Sequence, residues 1–228
     1  MTAELAMIVA TVACALACAA LVRAELREDH AGRGRFKPIA SLAFLATGVA
    51  AAVAAPSALA VCVVIGQLLG VGGDLALLRS RQPDRADAKL QFAIGVVLFL
   101  AGHVMFVVGF ALTLSPLRWL RIAGWSVLVP TYVSVQTARD VRAHVTGTLR
   151  SLVPIYAAVI TVMFAGALAV ATYGGSAGGM KLVIGALAFY VSDVFVARDL
   201  VEDDVWNRVW GLPLYYGGQL LIAWSVAG

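Results

Sequence analysis

The chain has 228 residues, 61% of them hydrophobic and only 13% charged, with a formal net charge of +4. Ordinary globular domains are about half apolar and about a quarter charged, so this composition excludes a soluble globular domain. Lipid is the solvent it fits. There, backbone polar groups must be satisfied within each span, by a helix or a closed barrel, and the long, unbroken, Leu- and Ala-rich runs decide for helices.

Eight apolar runs of helical length follow one another, at 3–22, 37–54, 57–78, 90–113, 119–137, 151–172, 178–198 and 210–227. The expected fold is all-α: a polytopic membrane protein, a bundle of eight transmembrane helices forming one domain over residues 1–228. The first run lacks a basic segment before Arg23 and reads as a retained span rather than a cleaved signal. Its Cys14 and Cys18, with Cys62 of the third run, read as small buried hydrophobes. The second run opens on Lys37, with Pro38 at a helix-start position. It joins the third through Ala55-Pro56-Ser57, short enough for a tight helical hairpin. The third carries Gln67, then Gly70, Gly72, Gly73 and Asp74; the fourth carries His103. The fifth holds Arg121 and Pro130 and is the least regular. Pro154 and Tyr156 open the sixth, Ser192-Asp193 lies near the end of the seventh, and Tyr215, Tyr216 and Gln219 begin the eighth.

Between the runs lie polar breaks at Arg23–Arg35, Arg79–Lys89, Ser115–Arg118, Ala138–Arg150, Tyr173–Gly179 and Asp199–Arg208. Of the 17 Lys and Arg residues, all but Arg118, Arg121 and Lys181 fall on the side of the loops after spans one, three, five and seven. Cytoplasmic loops carry that excess, so both termini are expected to be non-cytoplasmic, in a multi-pass protein of the cell inner membrane or plasma membrane. The positive charge reads as topology and inner-leaflet attraction; no nucleic-acid motif accompanies it. The acidic stretch Asp199, Glu202, Asp203 and Asp204 reads as a solvated face or counter-charge to the basic loops.

Ionisable groups inside spans are costly and mark function or an interior pair. With this topology, Lys37, Asp74, Asp193, Tyr156, Tyr215, Tyr216 and Gln219 all lie in the cytoplasmic third of the bilayer. One polar cavity opening toward the inner leaflet would collect them. Other readings stand beside this one. Asp74 pairs with Arg79 about one turn on, Tyr156 belongs to an interfacial aromatic belt, and His103 is a core histidine bonded to a neighbouring helix.

The ordered set Lys37-Pro38, Gly73-Asp74, Ala101-Gly102-His103, Pro154-Ile155-Tyr156, Ser192-Asp193 and Leu212-Pro213-Leu214-Tyr215-Tyr216 with Gln219 resembles the YhhN family of membrane proteins, which includes lysoplasmalogenases. The resemblance covers roughly residues 35–227. It implies hydrolysis of the vinyl ether bond of a lysoplasmalogen to a fatty aldehyde and glycerophospho-ethanolamine or -choline, with no metal or organic cofactor. The partners are then a lysophospholipid substrate and membrane lipid. Enol ether hydrolysis needs an acid, a base to orient water and negative charge to stabilise a cation. Asp74 and Asp193 are the expected catalytic pair; His103, Tyr156, Tyr215, Tyr216 and Gln219 would orient substrate or water, and Lys37 would bind the lipid phosphate. Three other readings compete: a small proton-coupled transporter, a metal-dependent membrane hydrolase, and a non-catalytic lipid-binding protein. For a metal site, only His103 of the three histidines lies within a span.

Overall fold

The computed structural model describes every residue except 1, 83–85, 116–117, 119–120, 122–126 and 176–177. Among the described residues the chain forms eight helices: α1 (Ala3–Leu26), α2 (His30–Ala54), α3 (Ala58–Ser80), α4 (Ala88–Thr113), α5 (Leu128–His144), α6 (Thr148–Tyr173), α7 (Gly179–Asp199) and α8 (Val205–Ala227). Six of them, α1–α4, α6 and α7, are long and apolar enough to cross a membrane. Their outer faces carry Leu5, Val12, Leu16, Val53, Val61, Leu112 and Met180, all exposed, as a lipid-facing surface requires. This is a multi-pass membrane protein.

Two expected spans do not reach that standard. α5 has 17 residues and ends in Arg139, Asp140, Arg142 and His144. Most of the expected span 119–137 before Val127 lies outside the described residues, as do parts of the breaks at 79–89, 115–118 and 173–179. α8 is 23 residues long, but Asn207, Arg208, Tyr215, Tyr216 and Gln219 crowd its first two thirds.

Helix starts also differ from the expected ones. α2 begins at His30, seven residues early, because Asp29 caps it: its carboxylate accepts the Gly32 amide hydrogen at 2.9 Å. Lys37 therefore lies in the helix rather than opening it, and Pro38 is an interior proline. The early residues are charged and look like loop to a hydropathy reading, whereas the cap makes them helix. In the same way α6 starts at Thr148 and α8 at Val205, which places Pro154 and Pro213 inside their helices. The 138–150 break is half helix, since α5 runs on to His144.

Consecutive helices pack as neighbours except α4 and α5, most closely α3 with α4, α1 with α2, and α7 with α8; α4 packs against α6, and α8 also touches α1, α2 and α3. Two of these crossings rest on reciprocal glycines. A Cβ at Gly102 would lie 2.9 Å from the Gly66 carbonyl oxygen, and one at Gly66 would lie 3.0 Å from the Gly102 carbonyl oxygen. Gly185 and Gly218 stand in the same relation between α7 and α8, at 3.0 and 2.8 Å. In lipid, where apolar burial drives no association, such backbone contact lets van der Waals packing hold the helices.

Gly218→Ala is expected to destabilise the protein by about 1–3 kcal/mol, the range for overpacking a filled site. Gly217→Ala, whose added Cβ meets nothing within 4 Å, serves as the control. Thermal unfolding in detergent would report the difference; equal midpoints for the two variants would refute the close-approach account.

Candidate functional site

At one end of the bundle the last turns of α1, α3, α5 and α7 meet the first turns of α2, α4, α6 and α8. A cavity of about 710 Å³ opens there. Its wall is largely apolar, with Leu77, Phe92, Val96, Phe99, Val153 and Ile160 among its lining. Lys37, Asp74, Tyr156, Asp193 and Tyr215 line the same cavity. The structure thus gathers five of the eight expected site residues onto one surface. The other three, His103, Tyr216 and Gln219, are buried behind it and do not line it.

The polar groups form two separate sets. In the first, Lys37 Nζ on α2 lies 3.0 Å from Asp74 Oδ1 on α3. The Ser41 hydroxyl, one turn after Lys37, donates to Asp74 Oδ2 at 2.8 Å, and Tyr216 Oη stands 3.4 Å behind it. Asp74 is 1% exposed. Its partner is thus an ammonium from the neighbouring helix rather than Arg79 of its own helix. Ser41 was not singled out from the sequence. The signal was there, because Ser41 stands at i+4 from Lys37 and so shares its face.

In the second set, Tyr156 on α6 donates to Asp193 Oδ2 on α7 at 3.0 Å, and His103 Nε2 on α4 lies 3.3 Å from the same oxygen. His103 Nδ1 is 2.7 Å from the Phe99 carbonyl oxygen, four residues back on its own helix. The imidazole is 1% exposed and packs edge-on against Phe106, Tyr156 and Phe189. The belt reading of Tyr156 gives way to direct contact with Asp193, and His103 is a core histidine whose neighbour on α7 is that same Asp193.

Tyr215 stands in contact with both regions. Its ring meets Phe44, Phe99 and Phe189 edge-on at centroid distances of 5.8, 5.7 and 5.2 Å, which fixes its position, while its buried Oη has no well-formed hydrogen bond among the described residues. Gly70 makes the room: a Cβ there would lie 3.2 Å from both Tyr215 Oη and Gln219 Nε2. Gln67 Nε2 donates to the Gln219 carbonyl oxygen at 3.0 Å and ties α3 to α8 below the site.

A charged belt surrounds the mouth. Glu25 takes Arg33 Nε at 3.1 Å and Arg208 Nε at 3.2 Å; Arg208 also pairs with Asp199 at 2.6 Å and Asp203 at 2.8 Å, and Arg81 pairs with Asp199. The Arg208 hydrogen bond holds the Asp203 carboxyl below its usual range. The acidic stretch is thus counter-charge, as its sequence suggested, and Asp204 in addition caps α8 by accepting the Trp206 amide hydrogen. Arg81 and Asp199 join α3 to α7 across the cavity mouth. Among the described residues no group of three or more His, Cys, Asp or Glu is placed to hold a metal ion.

Residues 32–226 match the YhhN family. The chain belongs to that family. The YhhN match spans nearly all of α2 through α8, and so takes in both polar sets and the cavity between them. No curated protein and no solved structure gives a significant match.

Removing one partner of a buried ion pair leaves an uncompensated charge and typically costs about 3–5 kcal/mol. Lys37→Met is expected to lower the unfolding midpoint accordingly, and adding Asp74→Asn should recover part of the loss. Additive losses in the double variant, measured by thermal unfolding in detergent, would mean that the two groups are not coupled.

Proposed function

We propose that this YhhN-family protein hydrolyses the vinyl ether bond of a lysoplasmalogen, releasing a fatty aldehyde and glycerophospho-ethanolamine or -choline. The observation that carries the reading is the pair of differently partnered carboxyls, Asp74 and Asp193, on the wall of one apolar cavity. An enol ether is a neutral, lipid-borne group whose hydrolysis passes through a cation. An apolar slot with carboxyl chemistry at its wall suits both features.

The reaction balances as follows. An acid's O–H bond breaks and its proton bonds to the vinyl carbon remote from oxygen. The carbon bearing oxygen becomes an oxocarbenium ion, stabilised by nearby carboxylate charge. Water adds to that carbon and gives a proton to a carboxylate. The hemiacetal then breaks its bond to the glycerol oxygen, which takes a proton, and an aldehyde is left. One water is consumed, and the protein returns to its starting state.

Tyr156 and Tyr215 would orient the reacting oxygen or the water, since both line the cavity. Lys37 is engaged with Asp74, so the phosphate is better met by a basic side chain of the mouth such as Lys89. The excess of Lys and Arg on the mouth side supports a cavity mouth in the cytoplasmic leaflet, with both termini on the other side. Transport is the less favoured reading, because Phe106, Phe110, Met163 and Ile222, all fully buried, fill the bundle beyond the site.

Purified protein incubated with 1-alkenyl lysophosphoethanolamine should release fatty aldehyde detectable by mass spectrometry. Asp74→Asn and Asp193→Asn should each lower turnover by about 10²–10⁴-fold, the usual contribution of a positioned acid or base. Folded wild type that yields no aldehyde, or variants that keep near-normal rates, would refute the proposal.

A further inference from the structure

The Phe99 carbonyl oxygen, 2.7 Å from His103 Nδ1, can only accept a hydrogen bond. Nδ1 therefore carries a hydrogen. A neutral imidazole has only one, which would leave Nε2 as a bare lone pair. Yet Nε2 lies 3.3 Å from Asp193 Oδ2, off the line of a hydrogen bond and with no hydrogen-bond partner among the described residues, in a place where His103 is 1% exposed and ringed by Phe106, Tyr156 and Phe189. Two bare lone pairs that close, with no donor between them, are costly. One proton between them removes the conflict. It makes an imidazolium beside a carboxylate, or an imidazole beside a carboxylic acid; the two forms have the same composition.

Asp74 is built differently. Its Oδ1 accepts from the Lys37 ammonium and its Oδ2 from the Ser41 hydroxyl, so both oxygens meet donors. The two carboxyls of the cavity thus differ in kind: one has a basic partner with which it can share a proton, the other a cationic partner that needs it as an anion.

We propose that His103 and Asp193 hold one proton in common, and that Asp193 delivers it to the substrate with His103 as the positioning residue behind it, leaving Asp74 as the fixed negative charge. The assignment rests on the vinyl ether reading above. Asp193 lines the cavity and His103 does not, so the imidazole acts through the carboxyl. In the delivery step the Asp193 O–H bond breaks, the proton bonds to the vinyl carbon, and a carboxylate remains beside a neutral imidazole. Water adds to the cation and returns a proton to Asp193, which completes the cycle once the hemiacetal has collapsed. The other groups facing the pair are Tyr156 on α6, Tyr190 on α7 and Tyr215 on α8, with Asp74 on α3 and Lys37 on α2 on the same cavity wall. α5 presents Ser134, which is hydrogen-bonded to Tyr190 and uncharged.

Two measurements test this. In ¹⁵N-histidine-labelled wild type at neutral pH, the His103 resonances, assigned with a His103→Gln sample, should show a proton on Nδ1. In addition, either Nε2 carries a second proton, or the infrared spectrum contains a protonated-carboxyl band that Asp193→Asn removes. A singly protonated ring beside an ionised Asp193 overturns the proposal, whatever the substrate. The second measurement is the pH profile of kcat/KM. His103→Gln should lose about tenfold or more above neutral pH and recover as the pH falls, because Asp193 then has to hold the proton alone. A loss equal at every pH is what a merely structural role gives, and it overturns the assignment of the acid. Wild type that shows the shared proton but releases no aldehyde would instead sink the substrate reading and leave the pair standing.

Discussion

Burying an ammonium and a carboxylate costs several kcal/mol per ion unless geometry and extra hydrogen bonds restore it. The Lys37–Asp74 pair imposes that condition on everything around it. Ser41 must stand one turn from Lys37 to fill the second carboxylate oxygen, and Tyr216 closes the set from α8. Gly70 must lack a side chain so that Tyr215 and Gln219 can enter beside Asp74. The α3–α4 crossing at Gly66 and Gly102 brings His103 toward the same cavity, and the α7–α8 crossing at Gly185 and Gly218 holds Asp193 and Tyr215 on adjacent walls. The helix contacts and the site are therefore one arrangement: loosening either crossing would move a charged group away from its partner in a medium that offers no substitute.

Much of this was legible in the sequence because lipid makes polar residues conspicuous. Asp74, Asp193, His103 and Lys37 stand out against apolar runs, and a common depth was expected for all of these but His103 from counting charges between spans. Their partners were harder to see. Hydropathy cannot say that Lys37 reaches Asp74 from the neighbouring helix while Arg79, on the same helix, does not. It also placed the start of α2 seven residues late, because it scores the charged residues 30–36 as loop, whereas the Asp29 cap and the helical hydrogen bonds that follow make them helix. The mouth belt was missed for a related reason. Glu25, Arg33, Arg81, Asp199 and Arg208 come from five places in the sequence, and each alone reads as an ordinary loop charge. Only packing shows that Glu25 and Asp199 are buried among arginines.

The charge balance of the cavity bears on how a cation could form there. Lys37 and Asp74 cancel. If Asp193 and His103 share one proton, they too are neutral together, and the empty site carries no net charge. On the proposed vinyl ether reading, transfer of that proton to a neutral enol ether would create a cation on the substrate and an anion on Asp193 at the same moment and a few ångströms apart. In a low-dielectric cavity the attraction between the two is far stronger than in water, so the separation that makes the uncatalysed reaction costly is held to a single contact. Asp74 adds a second negative group whose charge was already present and already oriented by Ser41, so it needs no reorganisation as the cation appears. An unpaired carboxylate would do this less well, because it would take the proton itself. On the proposed reading the Lys37 ammonium opposes that and leaves the shared proton with the His103–Asp193 pair.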